Sequence, residues 1–220
     1  MPTIWLLRHG KAGDLMGDYD RLSDTGFAQA RLTGTAYRHI APIHRLISGT
    51  MRRQRETAQA FSETFGAVPH HEQDARWNEY DHMSIIQNAI QAGIQPQTGE
   101  AGSGFSSFFG DAMGRWASGQ FDADYPEPYV DFQHRVVTAL TELAESLQSG
   151  QTAVVATSGG VISTACQHLL DLSTEQAFML NTVVVNGSMT RIRVGGGRMT
   201  LTSLNQDLHL ETADGMLTHV

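Results

Sequence analysis

A single cysteine, Cys166, stands in the 220 residues, so no intramolecular disulfide can form and the redox compartment is left unconstrained. No apolar run approaches the roughly 18 residues that a membrane-crossing helix needs. The first apolar stretch, Ile4-Trp5-Leu6-Leu7, is too short for the core of a signal peptide and no basic segment precedes it. A soluble cytoplasmic protein is therefore expected. Positive charge is also scarce, with 15 Lys and Arg against 23 Asp and Glu and a net charge of −8. That balance disfavours non-specific binding to nucleic acid or to a membrane surface. Long charge runs and internal repeats are missing as well.

What remains is ordinary globular material, 40% hydrophobic and 17% charged. The length suits one α/β domain, residues 1–220, and would crowd two. Thr3 to Leu7 is a short strand-like run that ends at Arg8-His9-Gly10. Ser23 predicts an N-cap, with Asp24 in the first turn, for a helix to about Tyr37. Arg45-Leu46-Ile47-Ser48 reads as a second strand, and Met51 to Phe65 as a second helix. Asp131 to Leu147 carries Val136, Leu140, Leu143 and Leu147 at helical spacing, with Gly150 as its terminator. A strand through Val154-Val155-Ala156 and a helix from about Gly160 to Leu170 follow. Ser173 and Gln176 form a capping-box pattern for one more short helix. Thr182 to Val194 and Met199 to Leu204 alternate like strands around Gly195-Gly196-Gly197.

Strands alternating with helices predict a three-layer α/β/α sandwich around a mostly parallel sheet. From about 82 to 130 the pattern dissolves into Gly and Ser, yet Phe105, Phe108, Phe109 and Trp116 argue against a free linker. That stretch is expected to be a helical insertion over the site with mobile connections, its aromatics forming its own core. Cys166, among apolar helix residues, reads as small core filler. His70-His71-Glu72 lacks any metal-binding spacing and reads as a polar strand edge.

In open α/β sheets ligands bind beyond the carboxyl ends of the strands. Three apolar runs end here in polar turns: Arg8-His9-Gly10, Ser48-Gly49-Thr50 and Thr157-Ser158-Gly159-Gly160. Neighbouring strands would bring two arginines, a histidine, hydroxyls and two helix N-termini into one pocket. Helix N-termini and arginine forks both suit phosphate oxygens. A phosphorylated ligand is the simplest reason for an acidic chain to gather such groups.

These segments resemble the histidine phosphatase superfamily, also called phosphoglycerate-mutase-like. "LLRHGKAG" matches its opening signature, and "YDRLSDTGFAQARLTG" is similar to the helix that follows it. "SGTMRRQRETAQ" resembles its second motif, "RWNEYDH" the segment carrying its acid, and "VVATSGGVIS" its final motif. "NGSMTRIRV" through "SLNQDLHL" looks like its closing strands, so the likeness runs from residue 3 to about 210. The resemblance implies a phosphoric monoester hydrolase of the histidine acid type, needing neither metal nor cofactor. His9 would be the nucleophile that becomes phosphohistidine, with Arg8 and Arg53 holding the phosphoryl oxygens. Arg53, not Arg52, stands four residues before Thr57 as the motif requires, and Arg55 is expected on a solvated face. Glu79 would be the acid and then the base, with Glu72 as its nearest rival; its pKa would have to be raised by the pocket.

One position departs from the family pattern. Ser158 stands where the final motif carries a second histidine, and a serine donates one bond without charge. Ser158 is thus a candidate for binding phosphate, for capping the helix that follows, or for both, and His82 is the candidate substitute for the missing ring. A slower or more specialised phosphatase is expected. The alternative is an impaired relative that binds a phosphorylated ligand or protein without turnover. A mutase is disfavoured, since nothing in the insertion resembles the mutases' longer substrate-gripping element. Substrates from small phosphates to phosphoproteins stay open, and an edge strand or the insertion offers a surface for a homodimer.

Overall fold

Side chains alternate along β1 (Thr3–Arg8), and this explains its unbroken apolar run. Trp5 and Leu7 point to one face, Ile4 and Leu6 to the other, and all four are buried. A strand covered on both faces has no polar side to show. The computed structural model describes residues 1–13, 18–95 and 103–219, the side chains of 103–106 aside.

β1 lies inside a six-stranded sheet with β2 (Arg45–Ser48), β3 (His71–Gln73), β4 (Thr152–Thr157), β5 (Met189–Gly195) and β6 (Arg198–Gln206), in the order β3-β2-β4-β1-β5-β6. The first four of that order run parallel, whereas β5 is antiparallel to β1 and β6 to β5. The sheet is thus mixed, mostly parallel and flanked by helices. Registers Arg8↔Thr157 and Ser48↔Ala156 set the carboxyl ends of β1, β4 and β2 side by side. The three polar turns foreseen from the sequence therefore share one edge of the sheet.

Helix α1 (Asp24–Tyr37) starts where Ser23 caps it, the Ser23 hydroxyl accepting from Gly26 N–H. Helix α2 (Arg52–Phe65) has no such local cap, because Met51 occupies the N-cap position. Asp20 supplies one from another loop, accepting from Arg52 N–H at 2.8 Å. Tyr37 of α1 and Ala58 and Phe61 of α2 close over Trp5, Leu7, Leu46, Val154 and Ala156, forming the core on that face. Helix α6 (Gly159–Leu170) follows β4 directly, with Cys166 wholly buried in it.

Helix α7 (Thr174–Val183) begins with the full Ser173/Gln176 capping box. It overturns one expectation: Thr182 and Val183 end a helix, and the strand begins only at Met189. The capping box launches a helix longer than the apolar alternation suggested, and Val184 and Val185 are buried in the connection that follows. The short α8 (Leu208–Glu211) comes after β6. His70-His71-Glu72 does form a sheet edge: His71 Nε2 meets Ser48 Oγ at 2.8 Å, and Glu72 pairs with Arg45 at 2.6 Å.

The chain divides into two compact units, Met1–Glu79 with Val136–Val220, and Tyr80–Arg135. The second unit holds α3 (His82–Gln91), α4 (Ser103–Ala117) and the start of α5 (Tyr129–Ser146). Trp116 packs there against Tyr80, Tyr129 and Phe132, with ring centroids 4.9–5.8 Å apart. Phe108 and Trp116 are buried, as expected of aromatics forming the insertion's own core. The Phe105 side chain, and connections within 96–102, lie outside the described residues. Among the described residues no helix is long and apolar enough to cross a membrane.

Candidate active site

His9 is the first residue beyond β1, held by its backbone on both sides. Its N–H donates to Thr157 O at 2.8 Å, and its carbonyl accepts from Asn186 Nδ2 at 3.1 Å. The ring Nδ1 lies 2.8 Å from Gly10 O. A carbonyl only accepts, so Nδ1 carries the hydrogen and Nε2 keeps a bare lone pair. Arg53 Nε, 3.3 Å away, donates to that same Nε2, which agrees with the assignment.

Burial pushes the His9 pKa well below its ordinary value, and Arg53 and then Arg8 push it the same way, against the Gly10 bond. The imidazole is therefore neutral at pH 7, as a nucleophile must be. The unfolded chain takes up a proton at His9 near pH 6.5, but the folded chain does so only at lower pH. The stability contributed by a neutral His9 is full above 6.5 and is lost as pH falls from there towards the folded value. Burial lowers His71 and His209 likewise, so the melting temperature is expected to drop between pH 7 and 5. Calorimetry should show a shallower drop in His9→Asn; parallel pH curves for the two proteins would contradict this.

Arg53 comes from the first turn of α2 and is 4% exposed. Thr57, one turn on, donates to Arg53 O at 2.7 Å and accepts from Gly10 N–H at 3.2 Å, tying the helix to the His9 loop. Asp20 takes Arg53 Nη1 at 2.8 Å, and the Tyr19 ring lies 5.4 Å from the guanidinium carbon. The Nε/Nη2 edge, whose two N–H groups match a pair of phosphate oxygens, is left facing His9. Arg52 instead pairs with Asp18 and Glu56, and Arg55 is exposed, as helical spacing predicted. Arg8 Nη1 donates to Val184 O, and the Arg8 guanidinium stands near enough to His9 to push its pKa down.

Glu79 and Ser158 meet the start of α6. Glu79 Oε2 accepts from Gly160 N–H at 2.9 Å, so the carboxylate sits at a helix N-terminus. Its rival Glu72 is committed to Arg45 at the sheet edge. Ser158 holds the N-cap position of α6, yet its side chain makes no capping bond. It accepts instead from Gln54 Nε2 at 2.8 Å, and this corrects the expectation that the serine caps the helix. His82 opens α3 in the Tyr80–Arg135 unit, with its N–H on Tyr80 O.

Three supporting residues escaped the sequence reading: Asp20, Gln54 and Asn186. Gln54 had a signal, since it stands four and seven residues before Ala58 and Phe61 and so shares their buried face. Asp20 and Asn186 had none, because each acts across a long loop. Among the described residues no group of three or more His, Cys, Asp and Glu is placed to hold a metal ion.

Solved structures share this fold. A phosphoserine phosphatase mutant of Entamoeba histolytica in complex with phosphoserine matches with a TM-score of 0.66 and 19% identity, over 96% of this chain and 100% of that one. A phosphoglycerate mutase from Bacillus anthracis matches with a TM-score of 0.69 and 18% identity, over 94% of each chain. No curated protein matches. The model of the histidine phosphatase superfamily (branch 1) fits residues 4–207, and with that span covered the chain belongs to this superfamily.

Proposed function

We propose that the protein hydrolyses phosphate monoesters through a phosphohistidine on His9. The observation that carries the reading is a buried imidazole held neutral, with Nδ1 hydrogen-bonded to Gly10 O and Nε2 turned to the Arg53 guanidinium. In the first step Nε2 bonds to phosphorus while the ester P–O bond breaks. Protonated Glu79 gives its proton to the leaving oxygen, releasing the alcohol. Water then attacks phosphorus, Glu79 takes a proton from it, and the N–P bond breaks to release inorganic phosphate. Arg8 and Arg53 stabilise charge on the non-bridging oxygens throughout.

The test is turnover of a panel of phosphomonoesters in the presence of chelator, with Glu79→Gln alongside wild type. Wild type should turn over. On kcat/KM, which reports phosphorylation of His9 alone, Glu79→Gln should lose roughly 100-fold or more on alkyl esters, but far less on nitrophenyl phosphate, whose leaving group needs no proton. Silence of wild type on every ester, or equal loss on both ester types, would overturn the reading.

A further inference from the structure

Ser158 follows β4 one step beyond the Arg8↔Thr157 register pair, level with His9 on the neighbouring strand. It is wholly buried, and its oxygen accepts from Gln54 Nε2. The direction of that bond is fixed by a third group. Gln54 Nε2 also donates to the Trp77 carbonyl at 3.0 Å, and the Thr157 hydroxyl donates to the same carbonyl at 2.7 Å. Turning the amide over would set Oε1 against Trp77 O, two acceptors with no hydrogen between them. Both hydrogens of the Gln54 amide are therefore committed, one to Trp77 and one to Ser158.

A serine hydroxyl has a single hydrogen, and in this bond Ser158 is the acceptor. Among the described residues no acceptor takes that hydrogen. A buried donor left in this way is destabilising until something completes it. Gln54 is itself wholly buried, and residue 49 must be glycine to admit it. A Cβ there would press on Gln54 Oε1 and stand 2.6 Å from Asn78 Oδ1.

We propose that Gln54 is a positioning residue for phosphoryl transfer. It fills an acceptor site of Ser158 Oγ, so that the hydroxyl hydrogen turns to a phosphoryl oxygen at His9. The two side chains then supply, without ionising, the donor that the family's second histidine would supply. This rests on the phosphohistidine reading above.

The experiment is rapid-quench measurement of His9 phosphorylation in wild type, Gln54→Met, Ser158→Ala and the double variant. Each single variant should slow phosphorylation by roughly 100-fold with little change in KM, the scale seen when one transition-state donor is removed. The double variant should be no slower than the slower single, because Gln54 has nothing to act through once the hydroxyl is gone.

Gln54→Glu keeps the shape and covers the case in which the methionine variant fails to fold. Its carboxylate would accept the Ser158 hydrogen, giving a slow enzyme that recovers in part as pH falls, when the acid gains one hydrogen to divide between Trp77 O and Ser158 Oγ. Adding Ser158→Ala should remove that recovery, which a merely structural role for residue 54 would leave in place. Losses that multiply in the double variant, or a recovery that persists without Ser158, overturn the role of Gln54 alone. Absence of any phosphoryl group on wild-type His9 overturns the phosphohistidine reading first, and this inference with it.

Discussion

His9→Asn is expected to lose turnover by at least about 10⁴-fold, the scale on which enzymes lose their nucleophile. Asparagine is the informative choice because its amide reaches about as far as the near ring nitrogen. Its Nδ2 can donate to Gly10 O as His9 Nδ1 does, at a site where that bond is 2.8 Å long. What disappears is Nε2, the atom that faces Arg53. The loop, its bonds to Thr157 and Asn186, and the ion pair between Arg53 and Asp20 should survive. Phosphate should therefore still bind, and the loss should fall on kcat with KM little moved. A variant that keeps a tenth of wild-type turnover would mean that the nucleophile lies elsewhere.

Gly10→Ala is expected to destabilise the fold by about 3 kcal/mol, at the upper end for an overpacked site, and to cut turnover as well. A Cβ at this position would stand 2.7 Å from Gly26 Cα, in the first turn of α1. Backbone, not a flexible side chain, is what it meets. Nor can the loop swing away easily. Lys11 N–H donates to Gln29 Oε1 at 2.7 Å, and Lys11 O accepts from both the Ser23 N–H and the Ser23 hydroxyl. Any relief must move Gly10 O, the group that sets the His9 tautomer. Urea unfolding should show a lower midpoint with an unchanged slope. An unchanged midpoint would show that α1 yields without strain.

The reason for the glycine in Arg8-His9-Gly10 is thus a crossing of two backbones, and this marks the boundary of what one sequence reveals. Local grammar was readable. Ser23 announces α1, Ser173 and Gln176 announce α7, and Gly195-Gly196-Gly197 announces the turn between β5 and β6. Helical period set Arg55 on a different face of α2 from buried Arg53, each position pointing some 100° from the last, while the family motif's spacing to Thr57 chose Arg53 over Arg52. The likeness to a known family named His9, Arg8, Arg53, Glu79 and Ser158 together.

Pairings across space were not readable. Asp20 both caps α2 and holds Arg53, yet it stands in a loop 33 residues away from that arginine. Trp77 offers only its carbonyl, a group every residue has, so no pattern could show that it orients Gln54. The end of α7 was missed for a related reason. Val184 and Val185 are buried in the connection after α7, and burial of a connection looks like burial of a strand.

The proposed reaction turns on one covalent bond, between phosphorus and His9 Nε2. The most direct measurement is to mix wild type with a phosphomonoester, quench in alkali within milliseconds, and locate any phosphoryl group by peptide mass spectrometry. The prediction is a phosphoryl group on His9 that is stable in alkali, lost in acid and absent from His9→Asn. A phosphoryl group on another residue, or steady turnover in chelator with His9 never modified, would contradict it.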